Sequence, residues 1–168
     1  MLTSPVSYTH LDLQELSRVE SRSTQLDIHP VDSASLIQTV TKRLKYQFDE
    51  KRVKLTLSLP RDPIHVLADE GCILQVLTNL IGNALQYTPE HGTVTISIER
   101  DKNEALISVA DTGGGIPPEH LARIFDRFYR VDKSRSRARG GSGIGLTIAK
   151  HLSLIHILAL SVAFFPIV

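Results

Sequence analysis

Cysteine is almost missing from this chain. Cys72 is the only one in 168 residues, so neither an intrachain disulfide nor a thiolate metal cage can form, and a reducing compartment is the simplest inference. Tryptophan is absent, and the aromatics are only 4 Tyr and 5 Phe, too few for a platform on which single-stranded bases would stack. No excess of either charge exists. Lys and Arg number 19 against 18 Asp and Glu, and a net charge of +1 provides no long-range field for a polyanion, so no nucleic-acid partner is expected. What remains is 42% apolar and 22% charged, a balance that excludes wholesale disorder and a polytopic membrane protein. The length allows one domain with a real core, plus appendages.

Glycine is the unevenly used residue. Seven of the 10 fall between Gly113 and Gly145, in the clusters Gly113-Gly114-Gly115 and Gly140-Gly141-Ser142-Gly143-Ile144-Gly145. Backbone must therefore approach something closely in two places.

The hydrophobic pattern predicts the elements around those clusters. Leu13, Leu16 and Val19 recur at helical spacing over residues 11–22, and residues 23–31 read as a linker. Asp32 is placed to cap a helix whose Leu36, Ile37, Val40, Leu44 and Phe48 share one face. Val53, Leu55, Leu57 and Leu59 alternate with polar residues as a half-buried strand that Pro60 and Pro63 end. A short strand from His65 to Ala68 leads to Asp69, the cap of a long helix from about Glu70 to Tyr87. That helix has an apolar stripe of Ile73, Leu77, Leu80 and Ala84, and a second stripe of amides, Gln75, Asn79, Asn83 and Gln86. Thr93 to Arg100 and Ala105 to Ala110 form a hairpin that runs into the first glycine cluster. Between Arg123 and Arg139 seven basic residues outnumber two acidic ones, interleaved with Phe125, Phe128 and Tyr129. A helix then opens after the second glycine cluster, an arrangement that presents free backbone amides to an anion.

Four ordered segments carry a resemblance. NLIGNALQYTP (79–89), DTGGGIP (111–117), IFDRFYR (124–130) and GGSGIGL (140–146) resemble the N, G1, F and G2 boxes of sensor histidine kinases, the catalytic ATP-binding domain of two-component systems. The match spans residues 11–151, including LQELSRVES (13–21), which is similar to the linker before the ATPase module. The resemblance implies an α/β two-layer sandwich of the Bergerat type, a mixed sheet backed by helices, with ATP and Mg²⁺ between the long helix and a lid. It implies further that Asn83 ligates Mg²⁺ through a neutral amide oxygen. Asp111 would accept from the exocyclic amine of adenine, and Gly113, Gly115 and Ile116 would let the chain pass beside the ring. Tyr87 would pack against that ring. Phe128 and Arg130 belong to the lid side, with Arg130 as the phosphate contact. Gly141, Ser142, Gly143, Ile144, Gly145 and Leu146 would present amides to phosphate oxygens; no GK[ST] follows, so this is not a Walker A loop. Asn79 stands where hydrolytic relatives carry a Glu that activates water, and an amide cannot take that proton. Gln86 stands where relatives commonly carry a Lys, which weakens one phosphate contact.

The resemblance also names what is not expected in this chain. A phosphoacceptor His followed by an acid belongs on a helix upstream of LQELSRVES, and His10 before Leu11-Asp12 is in the wrong setting. His29, His65, His91, His120, His151 and His156 lack metal-ligand spacing. Residues 1–10 and the uncharged segment 152–168 read as foreign ends on an ATPase module of residues 32–151, with 11–31 as the end of a dimerisation hairpin helix and its linker. On that reading the sheet lacks its last two strands. The expected function is presentation of MgATP to a histidine outside the chain, in a homodimeric parent of the bacterial inner membrane that has this domain in the cytoplasm and passes phosphate to a response regulator. A serine kinase of the anti-sigma type and a truncated, non-catalytic nucleotide-binding or interaction module are the alternatives.

Overall fold

Asp32 turns an extended segment into a helix. Its carboxylate accepts from the Ala34 amide at 3.1 Å, and α1 (Ser33–Glu50) follows. The computed structural model describes residues 26–102, 104–131 and 143–156. The helix expected over residues 11–22, the basic residues from 132 to 139, residues 140–142 and most of the apolar tail lie outside these. All five predicted apolar residues of α1, from Leu36 to Phe48, are buried.

The segment read as linker holds a strand. β1 (His29–Asp32) pairs antiparallel with β3 (His65–Ala68), His29 opposite Ala68 and Asp32 opposite His65. Four residues containing a proline carry no period, so only the distant partner makes them a strand. Pro30 is tolerated because this ribbon has two strands and each is an edge.

The larger sheet has the order β2-β4-β5. β2 (Lys54–Ser58) pairs parallel with β4 (Thr93–Asp101), and β4 pairs antiparallel with β5 (Glu104–Asp111), from Val94 opposite Asp111 to Asp101 opposite Glu104. A parallel pair needs a crossover connection, and α2 (Glu70–Tyr87) supplies it. Val94, Ile96 and Ile98 of β4 and Ala105, Ile107 and Val109 of β5 are buried on one face, against the helices; the alternate residues are half-exposed over most of both strands. This is the two-layer, mixed-sheet α/β architecture that the resemblance implied. Along β2 the expected alternation weakens. Val53 just before it is buried and Leu55 packs on the core, but Leu57 is 38% exposed near the end of an edge strand.

α2 runs over the predicted span. Asp69 caps it by accepting from Cys72 N at 3.0 Å, and its other carboxylate oxygen accepts from Asp27 N at 3.2 Å, tying the chain ahead of β1 to the start of the helix. At the far end the Thr88 hydroxyl donates to Ala84 O at 2.6 Å, and Lys51 Nζ donates to Leu85 O and Gln86 O. A cation on the last carbonyls of a helix satisfies groups that have no intrahelical partner and opposes the negative end of the dipole. Ile73, Leu77, Leu80 and Ala84 are buried, whereas Gln75, Asn79, Asn83 and Gln86 are all half-buried. After the short α3 (Pro118–Leu121), α4 (Gly145–His156) packs against α2 and sends Ile148, Ala149 and Leu152 into the same core. α4 continues five residues past the boundary expected at 151.

The two faces of α2 should respond differently to truncation. Leu77→Ala is expected to cost about 2–5 kcal/mol by leaving a cavity, and Asn83→Ala about 0.5 kcal/mol or less; urea unfolding of the two variants measures the contrast.

Candidate functional site

Two polar atoms break the rule that buried groups are paired. Asn79 Nδ2 and Arg130 Nη2 are both buried with no hydrogen-bond partner among the described residues, and an unmet buried donor costs about 1–3 kcal/mol. Both residues border the same turn. A Cβ added to Gly145 would lie 3.5 Å from Asn79 Oδ1, and one added to Gly143 would lie 3.2 Å from Arg130 Cγ. Asn79 and Arg130 thus flank residues 143–145, and each has a donor that lacks an acceptor among the described residues. A guest rich in anionic oxygens matches that shortage.

Local bonds hold the turn in place. Phe128 N donates to Gly143 O at 3.1 Å, and Phe128 itself has φ 61°, a conformation that non-glycine residues rarely adopt. Gly143 has φ +75°, and a Cβ there would meet Tyr129 O at 3.0 Å, so the two segments can close on each other only with glycine at this position. The Thr147 hydroxyl donates to Phe125 O at 3.0 Å, a second tie between α4 and the same segment. The Phe128 ring is exposed. Ile144 is 1% exposed and Leu146 packs on the core, so these two predicted residues have their side chains inside the domain, and only their backbone can face a ligand. Gly141 and Ser142 lie outside the described residues.

The first glycine cluster closes the other end of α2. Asp111 Oδ1 accepts from Gly113 N at 2.7 Å, and its second oxygen has no partner among the described residues. Thr112 Oγ1 accepts from Thr93 N at 2.9 Å, and Thr112 N donates to Thr93 O at 3.1 Å, which pins the turn to the start of β4. A Cβ on Gly113 would stand 2.5 Å from Asp111 Oδ1 and 2.9 Å from Tyr87 O. Glycine is required here by the turn itself and by the end of α2. Gly115 is free of neighbours but has φ +68°. Ile116 is half-buried, and Tyr87 exposes 58% of its surface. Asn83 forms no hydrogen bond among the described residues. Next to Tyr87 a groove of about 650 Å³ is lined by residues 50–52 and 87–90, where Arg52 and Glu90 pair at 2.7 Å.

The predicted residues therefore gather at the two ends of one helix face: Asn79, Arg130, Gly143 and Gly145 at one, Gln86, Tyr87, Asp111 and Gly113 at the other, with Asn83 between. Thr112 and Thr147, which brace these turns, are not among the predicted residues. Thr112 and Thr147 carry no sequence signal, since their bonds are non-local.

The glycines of the first cluster should separate by mechanism. Gly113→Ala is expected to lower stability by about 1–3 kcal/mol through the clash with backbone. Gly115→Ala should cost about 1–2 kcal/mol through its left-handed conformation, and Gly114→Ala, which meets nothing within 4 Å, about 0.5 kcal/mol or less. Denaturant midpoints of the three variants give the order.

Comparison with known proteins agrees with this geometry. The family model described as "Histidine kinase-, DNA gyrase B-, and HSP90-like ATPase" matches residues 68–161. The sensor histidine kinase WalK of Bacillus subtilis is 41% identical over 147 residues, which cover 86% of this chain and 24% of WalK. The sensor-like histidine kinase SenX3 of Mycolicibacterium smegmatis is 38% identical over 145 residues, 86% of this chain and 38% of SenX3. Among solved structures, full-length ShkA in complex with AMPPNP is similar with a TM-score of 0.74 and 31% identity, covering 88% of this chain and 31% of ShkA. The chain spans well under half the length of these relatives. With four boxes in order, a mixed sheet backed by helices and two unpaired donors at a glycine turn, the chain belongs to the histidine kinase-, DNA gyrase B- and HSP90-like ATPases, as an ATP-binding domain of the sensor histidine kinase type.

Proposed function

We propose that this domain holds MgATP along the amide face of α2 and presents the γ-phosphoryl group to a histidine on a dimerisation hairpin that lies elsewhere in the parent kinase. The observation that carries the reading is the pair of orphaned donors, Asn79 Nδ2 and Arg130 Nη2, on either side of residues 143–145. Phosphate oxygens would satisfy both. The amides at the start of α4, from Gly143 to Leu146, add donors with the positive end of a helix dipole behind them, and Gly141 and Ser142 are assigned to the same role by resemblance. The ShkA relative is described in complex with AMPPNP, an ATP analogue, which supports a nucleotide in this chain too.

At the other end the unpaired oxygen of Asp111 is the acceptor for the adenine amine. Its first oxygen is held by Gly113 N, so the carboxylate is already oriented. Gly113, Gly115 and Ile116 border the base, and Tyr87 offers an exposed ring to it. Asn83 fits Mg²⁺: its amide is without a partner among the described residues and stands one turn from Asn79. Held by Asn83, Mg²⁺ would supply positive charge to the phosphate oxygens. Gln86 has no charge to add.

In the transfer an imidazole nitrogen of the acceptor histidine bonds to phosphorus while the bond to the bridging oxygen breaks, and ADP leaves with the electron pair. Residues of this chain bind and orient. Asn79, an amide, is no base for water, so ATP is kept for the imidazole. The named relatives are sensor histidine kinases, which favours histidine over serine as the acceptor. Among the described residues no helix is long and apolar enough to cross a membrane. The parent is proposed to be a homodimer anchored in the inner membrane, with a response regulator as its phosphate acceptor.

Calorimetric titration of this chain tests the reading. MgATP should bind and GTP should not. Asp111→Asn keeps the acceptor for Gly113 N but loses charge toward the base, and Asn83→Asp adds charge beside the phosphates; each is expected to weaken ATP about ten- to a hundredfold without changing the unfolding midpoint. Equal affinity in either variant would remove that residue's assigned role. A folded chain that binds no nucleotide would leave only a non-catalytic interaction module.

A further inference from the structure

The turns from Pro117 to Tyr129 repeat every three residues. His120 N donates to Pro117 O at 2.9 Å, Arg123 N to His120 O at 2.9 Å, Asp126 N to Arg123 O at 2.8 Å and Tyr129 N to Asp126 O at 3.2 Å. Backbone bonds of this reach bring side chains three apart over one another. The four side chains do meet. His120 Nδ1 lies 2.6 Å from Tyr129 Oη, the Arg123 guanidinium carbon lies 4.3 Å from the centre of the Tyr129 ring, and Arg123 Nε reaches Asp126 Oδ2 at 3.4 Å. Tyr129 is thereby held at its hydroxyl by a half-buried imidazole and on its face by a cation.

The residue after Tyr129 is Arg130, whose Nη2 is one of the two orphaned donors. Tyr129 O and Arg130 Cγ both lie against Gly143, so the backbone from which Arg130 extends is set from two sides, by Gly143 and by the Tyr129 ring. An Arg side chain has many rotamers to lose when it meets a ligand, and a fixed root reduces that loss. Nothing in the nucleotide reading uses His120 or the Tyr129 hydroxyl.

We infer that His120 is a positioning residue: by holding the Tyr129 hydroxyl it fixes the direction of Arg130 and so sets how strongly the domain prefers ATP to ADP. This rests on the reading of Arg130 as a phosphate contact and assigns that contact to the terminal phosphate. His120 itself touches no substrate, so its removal should act on the term that depends on that phosphate and leave adenine recognition at Asp111 unchanged.

The test is calorimetry of MgATP and MgADP on the full chain and on five variants, with thermal melting of each. His120→Ala and Tyr129→Phe should each reduce the preference for ATP over ADP about three- to tenfold, the worth of one hydrogen bond, with ADP affinity held. The double variant should be no worse than either single one, because both remove the same bond. His120→Asn, which keeps a polar atom near the place of Nδ1, should restore most of the preference. A parallel fall of ATP and ADP affinity with melting temperature would make the bond merely structural and overturn the proposal, as would additive single variants or an unaltered preference. Arg130→Ala separates the two layers of inference. If it erases the preference and the His120 and Tyr129 variants do not, the positioning role alone fails. If it leaves the preference intact, or the wild-type chain binds neither nucleotide, the phosphate reading fails and the positioning role with it.

Discussion

α2 has to satisfy two neighbours at once, and its rotation about its own axis is the constraint on which the rest depends. Ile73, Leu77, Leu80 and Ala84 must face the core. Once they do, the helical period leaves Asn79 and Asn83 no freedom of direction. A turn of the helix by one residue, about 100°, would bury amides and expose leucines, so the hydrophobic effect that folds the domain also aims its polar face. The caps fix the remaining coordinate, position along the axis. Asp69 sets where the helix begins, and Thr88 and Lys51 where it ends.

Unpaired donors show where stability has been given up. A domain selected only for stability would leave neither Asn79 Nδ2 nor Arg130 Nη2 buried without an acceptor. Both residues border a turn whose Gly143 is joined by a backbone bond to Phe128, a non-glycine residue held in a left-handed conformation. Strain and missing acceptors in one place mark a surface built for a guest that supplies oxygens. The adenine end differs. There the Asp111 turn closes with its own hydrogen bonds and leaves one carboxylate oxygen over.

α1 and α2 were legible in the sequence because each has two independent signals, an aspartate cap and a periodic apolar stripe. α1 and α2 begin where Asp32 and Asp69 place them. The β4–β5 hairpin was legible for a similar reason, alternation that stops at glycine. β1 was not, since His29–Asp32 is extended only through pairing with the distant β3, from His29 opposite Ala68 to Asp32 opposite His65. Leu57 was misjudged because alternation tells which face a residue takes and nothing about whether a helix covers the strand end. The candidate site was legible as a set of residues, and those of its boxes that the structure describes lie at the two ends of the amide face of α2. Their mechanics were less so: Gly113 answers to Asp111 and Tyr87 as well as to any ring beside it, and Ile144 serves the core. The spacing of His120, Arg123, Asp126 and Tyr129 was visible in the sequence, but its meaning required the backbone bonds that bring the four together.

The packing of α4 on α2 also has a consequence during synthesis. Asn79 and Gly145 touch across about 66 positions of sequence, and a ribosome adding about 5–20 residues per second makes that span in roughly 3–13 s. By the later part of that interval the nascent chain has α1, α2 and the hairpin but not the helix that covers one flank of α2. The length of that exposure is set by translation, so codon choice between Asn79 and Gly145 bears on how often the emerging domain meets a chaperone.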